Sequence, residues 1–168
     1  MKILDTPRLT LRELTVEDAP FILQLLNEPS FIRFIGDRNV RTLDDACAYL
    51  LNGPITSYQR HGFGLYLVET KTEQIPLGMC GLIRRDTLPD VDIGYAFLPQ
   101  FGGQGYAFEA AAAILDYGRT VVKLTRIVAI VTPDNERSIH LLNKLGLHFE
   151  RMIAWPDDGS ELKLYATI

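Results

Sequence analysis

The sequence has little cysteine and no spacing typical of a metal site. Its two cysteines, Cys47 and Cys80, lie in unrelated segments, without a C-x-x-C motif or a neighbouring histidine. This pattern argues against a disulfide framework or a zinc site, and both residues are interpreted as small core side chains. The three histidines, His61, His140 and His148, are scattered and show no metal-ligand spacing, so we expect no metal.

Long apolar runs and an excess of positive charge are also lacking. No apolar run approaches the roughly 18 residues of a membrane span, and the first residues, "MKILDTPRL", lack the apolar core of a signal peptide. We therefore expect a cytoplasmic protein with no membrane partner. The net charge of −4 and the isoelectric point near 5.4 argue against nucleic-acid binding. If the protein binds an anionic ligand, a local arrangement of donor groups would have to hold it, because the surface as a whole is not basic.

What the chain does have is an ordinary globular composition. Hydrophobic residues make up 47% and charged residues 23% of its 168 residues. This length is sufficient to bury one sizeable core, and no linker or internal repeat interrupts it. We expect one domain spanning residues 1–168.

Apolar periodicity and turn residues predict strand, helix, helix, three strands, helix, strand, helix and two strands. This order indicates the α/β (α+β) class, with a single mixed sheet flanked by helices. The predicted strands are 8–14, 63–70, 75–85, 91–99, 126–132, 148–154 and 161–167, and the predicted helices run from 15 to 27, from 42 to 53, from 106 onward and over 136–146.

The stretch "LPQFGGQGYAFEAAAA" places Gly102, Gly103 and Gly105 between a strand and a helix. Glycine within a helix or strand costs about 0.5–1 kcal/mol relative to alanine, so three of them indicate a backbone requirement. The first amides of the helix lack internal partners and carry the positive end of its dipole. Without a Cβ, a diphosphate can approach them. A tight strand-to-helix turn without a ligand is the alternative.

Two familiar phosphate loops do not fit this stretch. A P-loop requires G-x-x-x-x-G-K-[ST], which the sequence does not contain. A dinucleotide fingerprint starting at Gly103 would place Phe108 at its last glycine, and it lacks the acidic residue expected about 20 residues later.

The run Gln100-x-x-Gly103-x-Gly105-Tyr106-Ala107 resembles the Q/R-x-x-G-x-G/A coenzyme A pyrophosphate loop of the GCN5-related N-acetyltransferase (GNAT) superfamily. The preceding "DIGYAFLP" resembles that family's central strand, and "TPDNERSIHLLNKLGL" resembles its second cofactor motif. The segments "TPRLTLRELTVEDAP" and "HGFGLYLVE", with "PLGMCGLI", resemble the branch of ribosomal-protein N-terminal acetyltransferases. The resemblance covers nearly the whole chain. It implies a mostly antiparallel sheet with splayed central strands.

The resemblance also implies residues that bind acetyl-coenzyme A. The backbone of Phe97 and Leu98 would pair with the pantetheine arm, and Asn135 would contact the pantetheine from the neighbouring element. The cap of the following helix is expected to be Asn135 or Asp134, and for Asn135 the capping and coenzyme roles are compatible. The pyrophosphate would be held by Gln100, Gly102, Gly103, Gln104, Gly105, Tyr106 and Ala107.

Two residues are candidates for catalysis by resemblance. Asp92 stands where relatives carry a carboxylate base, and its alternative is a hydrogen-bonded strand carboxylate. Many members carry a tyrosine acid at the position of Leu142 in this chain. Ser138 is a candidate to hydrogen-bond the leaving thiolate instead, and its alternative is an ordinary first-turn serine.

Other residues near these motifs have open interpretations. Tyr95 is either core or a wall of the substrate site. Arg84 and Arg85 either attract an acidic acceptor or solvate a sheet edge, and the edge interpretation is favoured. His61 is either a surface residue or part of an acceptor pocket.

The chemistry depends on the pKa of the acceptor amine. Deprotonating a lysine amine of pKa about 10.4 costs roughly 4.6 kcal/mol at pH 7, whereas an α-amine costs only about 1–1.4 kcal/mol. A thiol of pKa about 8.5 leaves almost unaided. A base therefore matters most for lysine-like acceptors.

We therefore expect an N-acetyltransferase that transfers the acetyl group of acetyl-coenzyme A to a primary amine, by direct attack in a ternary complex. The acceptor would be a peptide or protein N-terminus or a small amine. The alternatives are a non-catalytic acyl-coenzyme-A-binding or regulatory module and a ligand-free scaffold. Exposed sheet edges are compatible with a monomer or a homodimer.

Overall fold

The computed structural model describes residues 1–167, which form one eight-stranded sheet with helices on both faces. The strand order is β1-β2-β3-β4-β5-β6-β8-β7. The strands are β1 Lys2–Asp5, β2 Leu9–Glu13, β3 Leu65–Thr70, β4 Pro76–Ile83, β5 Asp92–Phe97, β6 Val128–Val131, β7 His148–Ala154 and β8 Glu161–Ala166. The helices are α1 Ala19–Leu26, α2 Pro29–Phe34, α3 Leu43–Leu50, α4 Thr56–His61, α5 Tyr106–Thr120 and α6 Glu136–Lys144.

The predicted fold class and element order are confirmed, with three additional elements. β1 was missed because it is a four-residue edge strand with a bulge against β2, too short to show alternation. α2 was missed as well because it has only six residues and begins at Pro29. Proline is tolerated at a first helical position, where its missing amide has no partner in any case.

The second helix is predicted to falter at Gly53-Pro54, and the α-helical geometry of α3 does end just before them, at Leu50, but the helical path continues. A π-helical turn, Leu51–Ile55, follows α3 and leads directly into α4. The wider turn accommodates Pro54, and the Thr56 hydroxyl donates to the carbonyl of Leu51 at 2.6 Å. The helical path ends only at Gly62, which adopts a left-handed φ of 77°.

The sheet opens between β5 and β6. These two parallel strands are paired only at Asp92 and Val128 among the residues described. Each strand nevertheless stays bonded on its outer side, β5 to β4 along six register positions and β6 to β8 along four. The strands therefore diverge into a cleft, as the resemblance implied.

The two faces of the sheet carry separate apolar clusters. On the α5 face, Ile114 packs with Ile93 and with the partly buried Tyr95. On the α3 face, Leu50 packs with Met79 and the partly buried Ala96. Since neighbouring residues of a strand point to opposite faces, Asp92 shares the α3 face with Ala96.

No helix within residues 1–167 combines the length and apolar character needed to cross a bilayer. The cytoplasmic location stays a prediction.

Candidate active site

The glycine turn lies at the open end of the cleft, between β5 and α5. Gly103 and Gly105 adopt left-handed φ angles of 77° and 81°, which other L-residues rarely adopt. Gly105 occupies the N-cap of α5, and no side chain caps this helix. The first-turn amides of α5 therefore have no acceptor within residues 1–167. Together they form a donor set at the positive end of a 15-residue helix.

Two arginines that the sequence did not predict flank this turn. A Cβ built on Gly105 would lie 3.4 Å from Nη2 of Arg8, and one built on Gly102 would lie 3.4 Å from Nη2 of Arg137. Arg8 is held by Glu109, to which its Nε donates at 2.8 Å, and its guanidinium stacks 4.5 Å from the ring centroid of Tyr106. The turn therefore combines a helix N-terminus with two guanidinium groups, one of them paired with Glu109, and these donors fit a diphosphate.

The backbone at the end of β5 has one free residue. The amide of Leu98 donates to the carbonyl of Leu77 at 2.9 Å, and the Leu98 carbonyl accepts from the amide of Phe101 at 3.1 Å. By alternation along the strand, the backbone groups of Phe97 point into the cleft. Across the cleft, the Oγ1 atom of Thr132 is shielded from solvent and has no hydrogen-bond partner within residues 1–167.

Asn135 caps α6. Its Oδ1 accepts from the amide of Ser138 at 3.2 Å, so its capping role is confirmed. The Ser138 hydroxyl lies 2.7 Å from the phenol oxygen of Tyr95, which links α6 to β5. Burial raises the pKa of Tyr95 to about 12, so this phenol stays protonated. Leu142 is buried in the cluster of the α5 face.

Asp92 is the first residue of β5 and is 1% exposed. Its Oδ1 accepts from Nε of Arg85 at 3.0 Å. Burial raises the pKa of Asp92 to about 6, although Arg85 opposes this shift. The favoured interpretation of Arg85 as an edge charge is wrong, because tertiary folding brings it onto a buried carboxylate.

A pocket of about 330 Å³ lies on the α3 face; neighbours of Asp92 line it, whereas Asp92 itself is buried and is not part of the lining. Its walls come from the π turn, α4 and the ends of β3 and β4, and His61 and Arg85 are among its lining residues. Ile83, also in the lining, pairs directly with Asp92 across the sheet. The α3 face therefore carries a pocket next to the neighbours of Asp92.

Ser138 and Asp92 lie on opposite faces of the sheet. Tyr95, the partner of Ser138, belongs to the α5 face, whereas Asp92 belongs to the α3 face. Within residues 1–167, no three His, Cys, Asp or Glu side chains form a group suited to a metal ion. The glycine turn, the Ser138 hydroxyl and the Asp92 carboxylate thus belong to elements that border one cleft, with the last two on opposite faces of the sheet.

Comparison with known proteins gives a consistent result. The sequence model of the acetyltransferase (GNAT) domain family matches residues 8–148. An uncharacterized N-acetyltransferase of Bacillus licheniformis, p20, is 31% identical over 156 residues, which cover 91% of this chain and 86% of that protein. A spermidine N(1)-acetyltransferase of Escherichia coli strain K12 is 42% identical over 52 residues, which cover 31% of this chain and 28% of that protein.

Among solved structures, the fold is similar to RimL, a ribosomal L7/L12 alpha-N-protein acetyltransferase solved in complex with coenzyme A. The TM-score is 0.85 at 19% identity, covering 100% of this chain and 98% of that one. At this identity the likeness describes the fold. The family match, together with the splayed sheet and its glycine turn, shows that the chain belongs to the GNAT family of acetyltransferases.

Proposed function

We propose that the protein transfers the acetyl group of acetyl-coenzyme A to a primary amine, by direct attack in a ternary complex. The observation that carries this proposal is the uncapped N-terminus of α5 behind the left-handed Gly103 and Gly105, at the mouth of the cleft between β5 and β6. Acetyl-coenzyme A supplies an acyl thioester, whose carbonyl is open to attack by an amine.

Different groups of the chain would bind different parts of the coenzyme. The amides from Gly103 to Ala107, together with Gln100, Gly102 and the two guanidiniums, would hold the diphosphate. The backbone of Phe97 would pair with the pantetheine. Leu98, whose amide and carbonyl are bonded within the protein, would contribute packing at the end of β5.

Asn135 and Thr132 would contact the pantetheine from the other side of the cleft. The Oδ1 of Asn135 already serves Ser138, but its amide nitrogen has no partner within residues 1–167. The buried hydroxyl of Thr132 is equally unpaired there. Buried polar groups are rarely left unpaired, so the Thr132 hydroxyl is suited to an amide of a bound pantetheine, and the Asn135 amide nitrogen is a second donor on the same side of the cleft.

Asp92 would accept the proton of the amine, directly or through one water. Its pKa of about 6 makes it a stronger base than an ordinary aspartate and leaves it ionised at pH 7. Moving a proton to it from an α-ammonium of pKa about 7.8 costs roughly 2.5 kcal/mol, and from a lysine ammonium roughly 6 kcal/mol. This difference favours α-amines, in line with the N-terminal acceptor in the name of RimL.

Ser138 would donate a hydrogen bond to the departing sulfur. When Tyr95 donates its proton to Ser138, the serine proton is left free to point into the cleft. Because a coenzyme thiol leaves almost unaided, this contribution is about 1 kcal/mol.

Neither cysteine is suited to form an acyl intermediate. Cys80 is fully buried, and burial raises the pKa of its thiol far above the physiological range. Cys47 packs against the cluster of the α3 face. Direct transfer to the amine therefore fits this chain better than a two-step route.

A second candidate function is a non-catalytic acyl-coenzyme-A-binding or regulatory module. It is favoured by Leu142, which leaves the usual tyrosine acid absent, and by the pairing of Asp92 with Arg85. Release of free thiol from acetyl-coenzyme A, measured across peptides and small amines, separates the two. Amine-dependent release supports the enzyme. Thermal stabilisation by acetyl-coenzyme A without any amine-dependent release supports the module.

A further inference from the structure

The pocket beside Asp92 is rich in positive charge although the protein is acidic overall. We call it the arginine pocket, because Arg38, Arg60, Arg84 and Arg85 all line it. None of the residues that line it is acidic. The net charge of the whole chain is −4, so this cluster is a local departure from the average surface.

Most of this charge is not used within the protein. Arg85 is balanced by Asp92, and Arg84 donates from Nη1 to the carbonyl of Pro89 at 2.9 Å, which leaves its charge uncompensated. Arg38 and Arg60 make no hydrogen bond or ion pair with any residue of the described range 1–167. Arg38, Arg60 and Arg84 therefore line the pocket without an ion-pair partner within residues 1–167.

The arginine pocket is also next to the proposed base. Ile83 in its wall pairs with Asp92 in the antiparallel register of β4 and β5, and directly opposed residues point to the same face. Arg85 belongs both to the pocket wall and to the ion pair of Asp92. A molecule in the pocket therefore contacts Ile83 and Arg85, the two neighbours of the buried carboxylate, on the face away from Ser138.

We propose that this pocket receives the acceptor and that the acceptor carries an anionic group, a carboxylate or a phosphate, as well as its amine. This proposal rests on the proposed function. Guanidinium groups bind such anions through paired N–H donors, so the anion would be held by Arg38, Arg60 and Arg84 while the amine faces Asp92. A polyamine would be repelled by the arginines that line the pocket, since none of its lining residues is acidic. The acceptor class therefore differs from that of the spermidine acetyltransferase to which part of the chain is similar.

The test is thiol release from acetyl-coenzyme A with matched acceptors. One arm uses peptides of equal length that begin with alanine and continue with two aspartates, two asparagines or two lysines. The other arm compares phosphoethanolamine with ethanolamine, glutamate with glutamine, and includes spermidine. We expect kcat/KM to be at least about tenfold higher for the anionic member of a series and lowest for the cationic one. The arm with the larger preference identifies a peptide or a small-molecule source of the anion.

Two variants assign the preference to the pocket. Arg38→Gln and Arg60→Gln should each reduce the preference about fivefold through KM, with kcat changed less than about twofold. Arg119→Gln removes the same charge from an exposed site at the end of α5 and should leave the preference intact. Salt should weaken the preference in the wild type more than in either pocket variant.

The outcomes separate the two proposals. Thiol release without a preference for anionic acceptors, or a preference that both pocket variants retain, would overturn the arginine pocket as an anion subsite and leave the acetyltransferase proposal standing. Absence of release with every acceptor would instead overturn the proposed function, and this inference with it.

Discussion

Arg85 donates from Nε to Oδ1 of Asp92 across 3.0 Å, and this ion pair joins the segment after β4 to the first residue of β5. The arginine side chain is 26% exposed and lines the pocket, whereas the aspartate is 1% exposed. Arg85 thus reaches the pocket while Asp92 stays shielded from solvent. With an acceptor in the pocket, as proposed above, the pair would link its binding to the ionisation of Asp92.

The first prediction concerns the pH dependence of the reaction. Asp92 must be ionised to accept a proton, and its pKa is raised to about 6, so kcat/KM should rise as the pH increases through about 6. Asp92→Asn should remove this rise and lower turnover about 10- to 100-fold at neutral pH, with little change in coenzyme affinity. The measurement is thiol release from pH 5 to 9. An unaltered pH profile in the variant would remove Asp92 from the mechanism.

The second prediction concerns stability, and its sign follows from the same pKa. Burial raises the pKa of Asp92 from 3.8 to about 6, so the folded protein binds this proton more tightly than the unfolded chain. The stabilisation of the folded protein by this bound proton is fully present below about pH 3.8 and is lost as the pH rises through about 6. As the pH rises from 3.8 to above 6, the unfolding free energy of the wild type should therefore fall by about 3 kcal/mol.

Urea unfolding at a series of pH values checks this contribution. Asp92→Asn should lack it, so the difference in unfolding free energy between wild type and variant should change with pH between 4 and 7. A constant difference over this range would show that the carboxylate does not titrate there.

The third prediction concerns the glycine turn and uses a matched pair of variants. Gly103 and Gly159 both adopt left-handed φ angles, 77° and 70°, and a Cβ on either would meet nothing within 4 Å. Gly159 lies in the turn between β7 and β8. Asparagine tolerates this conformation, so Gly103→Asn and Gly159→Asn should lose similar, small amounts of stability.

Only Gly103→Asn should affect the coenzyme, because its side chain would occupy the space proposed for the diphosphate. We expect its dissociation constant for coenzyme A to rise at least about tenfold, measured by calorimetry. Equal affinities of the two variants would mean that the turn serves the backbone alone.

The fourth prediction concerns the two hydroxyls that link β5 and α6. Ser138→Ala should lower kcat about fivefold, because one hydrogen bond to the leaving sulfur is lost. Tyr95→Phe should have a smaller effect, and the double variant should resemble Ser138→Ala, since the phenol acts through the serine. Ser160→Ala removes a hydroxyl that bonds to Asp158 in a remote turn and is the control. If the losses of the two single variants add in the double variant, Tyr95 does not act through Ser138.

The fifth prediction concerns Arg137, whose guanidinium lies beside Gly102. Arg137→Gln should weaken coenzyme A binding about three- to tenfold at low salt, and the loss should shrink as ionic strength rises. Arg119→Gln serves as the charge-matched control. If the two variants bind coenzyme A alike, Arg137 does not contact its phosphates.

Local sequence patterns were sufficient for some elements and not for others. The predicted strands and the long helix after Gly105 carry periodic apolar residues and clear turn signals, and they were found. β1 and α2 are short, and α4 follows a proline that normally ends a helix. In these three segments packing against the rest of the chain overrides a weak or contrary local signal.

The candidate site divides in the same way. The glycines were recognisable because their cost elsewhere in a chain is high, and Asn135 because capping is a local interaction. Arg8 and Arg137 carried no signal, since nothing in their neighbourhoods indicates that they reach the glycine turn. Arg85 carried a misleading one, because a charged residue after a strand usually faces solvent.

The sequence by itself determined what depends on neighbouring residues: the order of the main elements, the left-handed turn at Gly103 and Gly105, and the cap at Asn135. The tertiary structure alone decided which distant groups meet. The burial of Asp92, its pairing with Arg85 and the collection of four arginines around one pocket depend on how β4, β5 and α4 pack. Desolvation and charge pairing act through space, so a pKa and a pocket belong to the fold rather than to any segment of the chain.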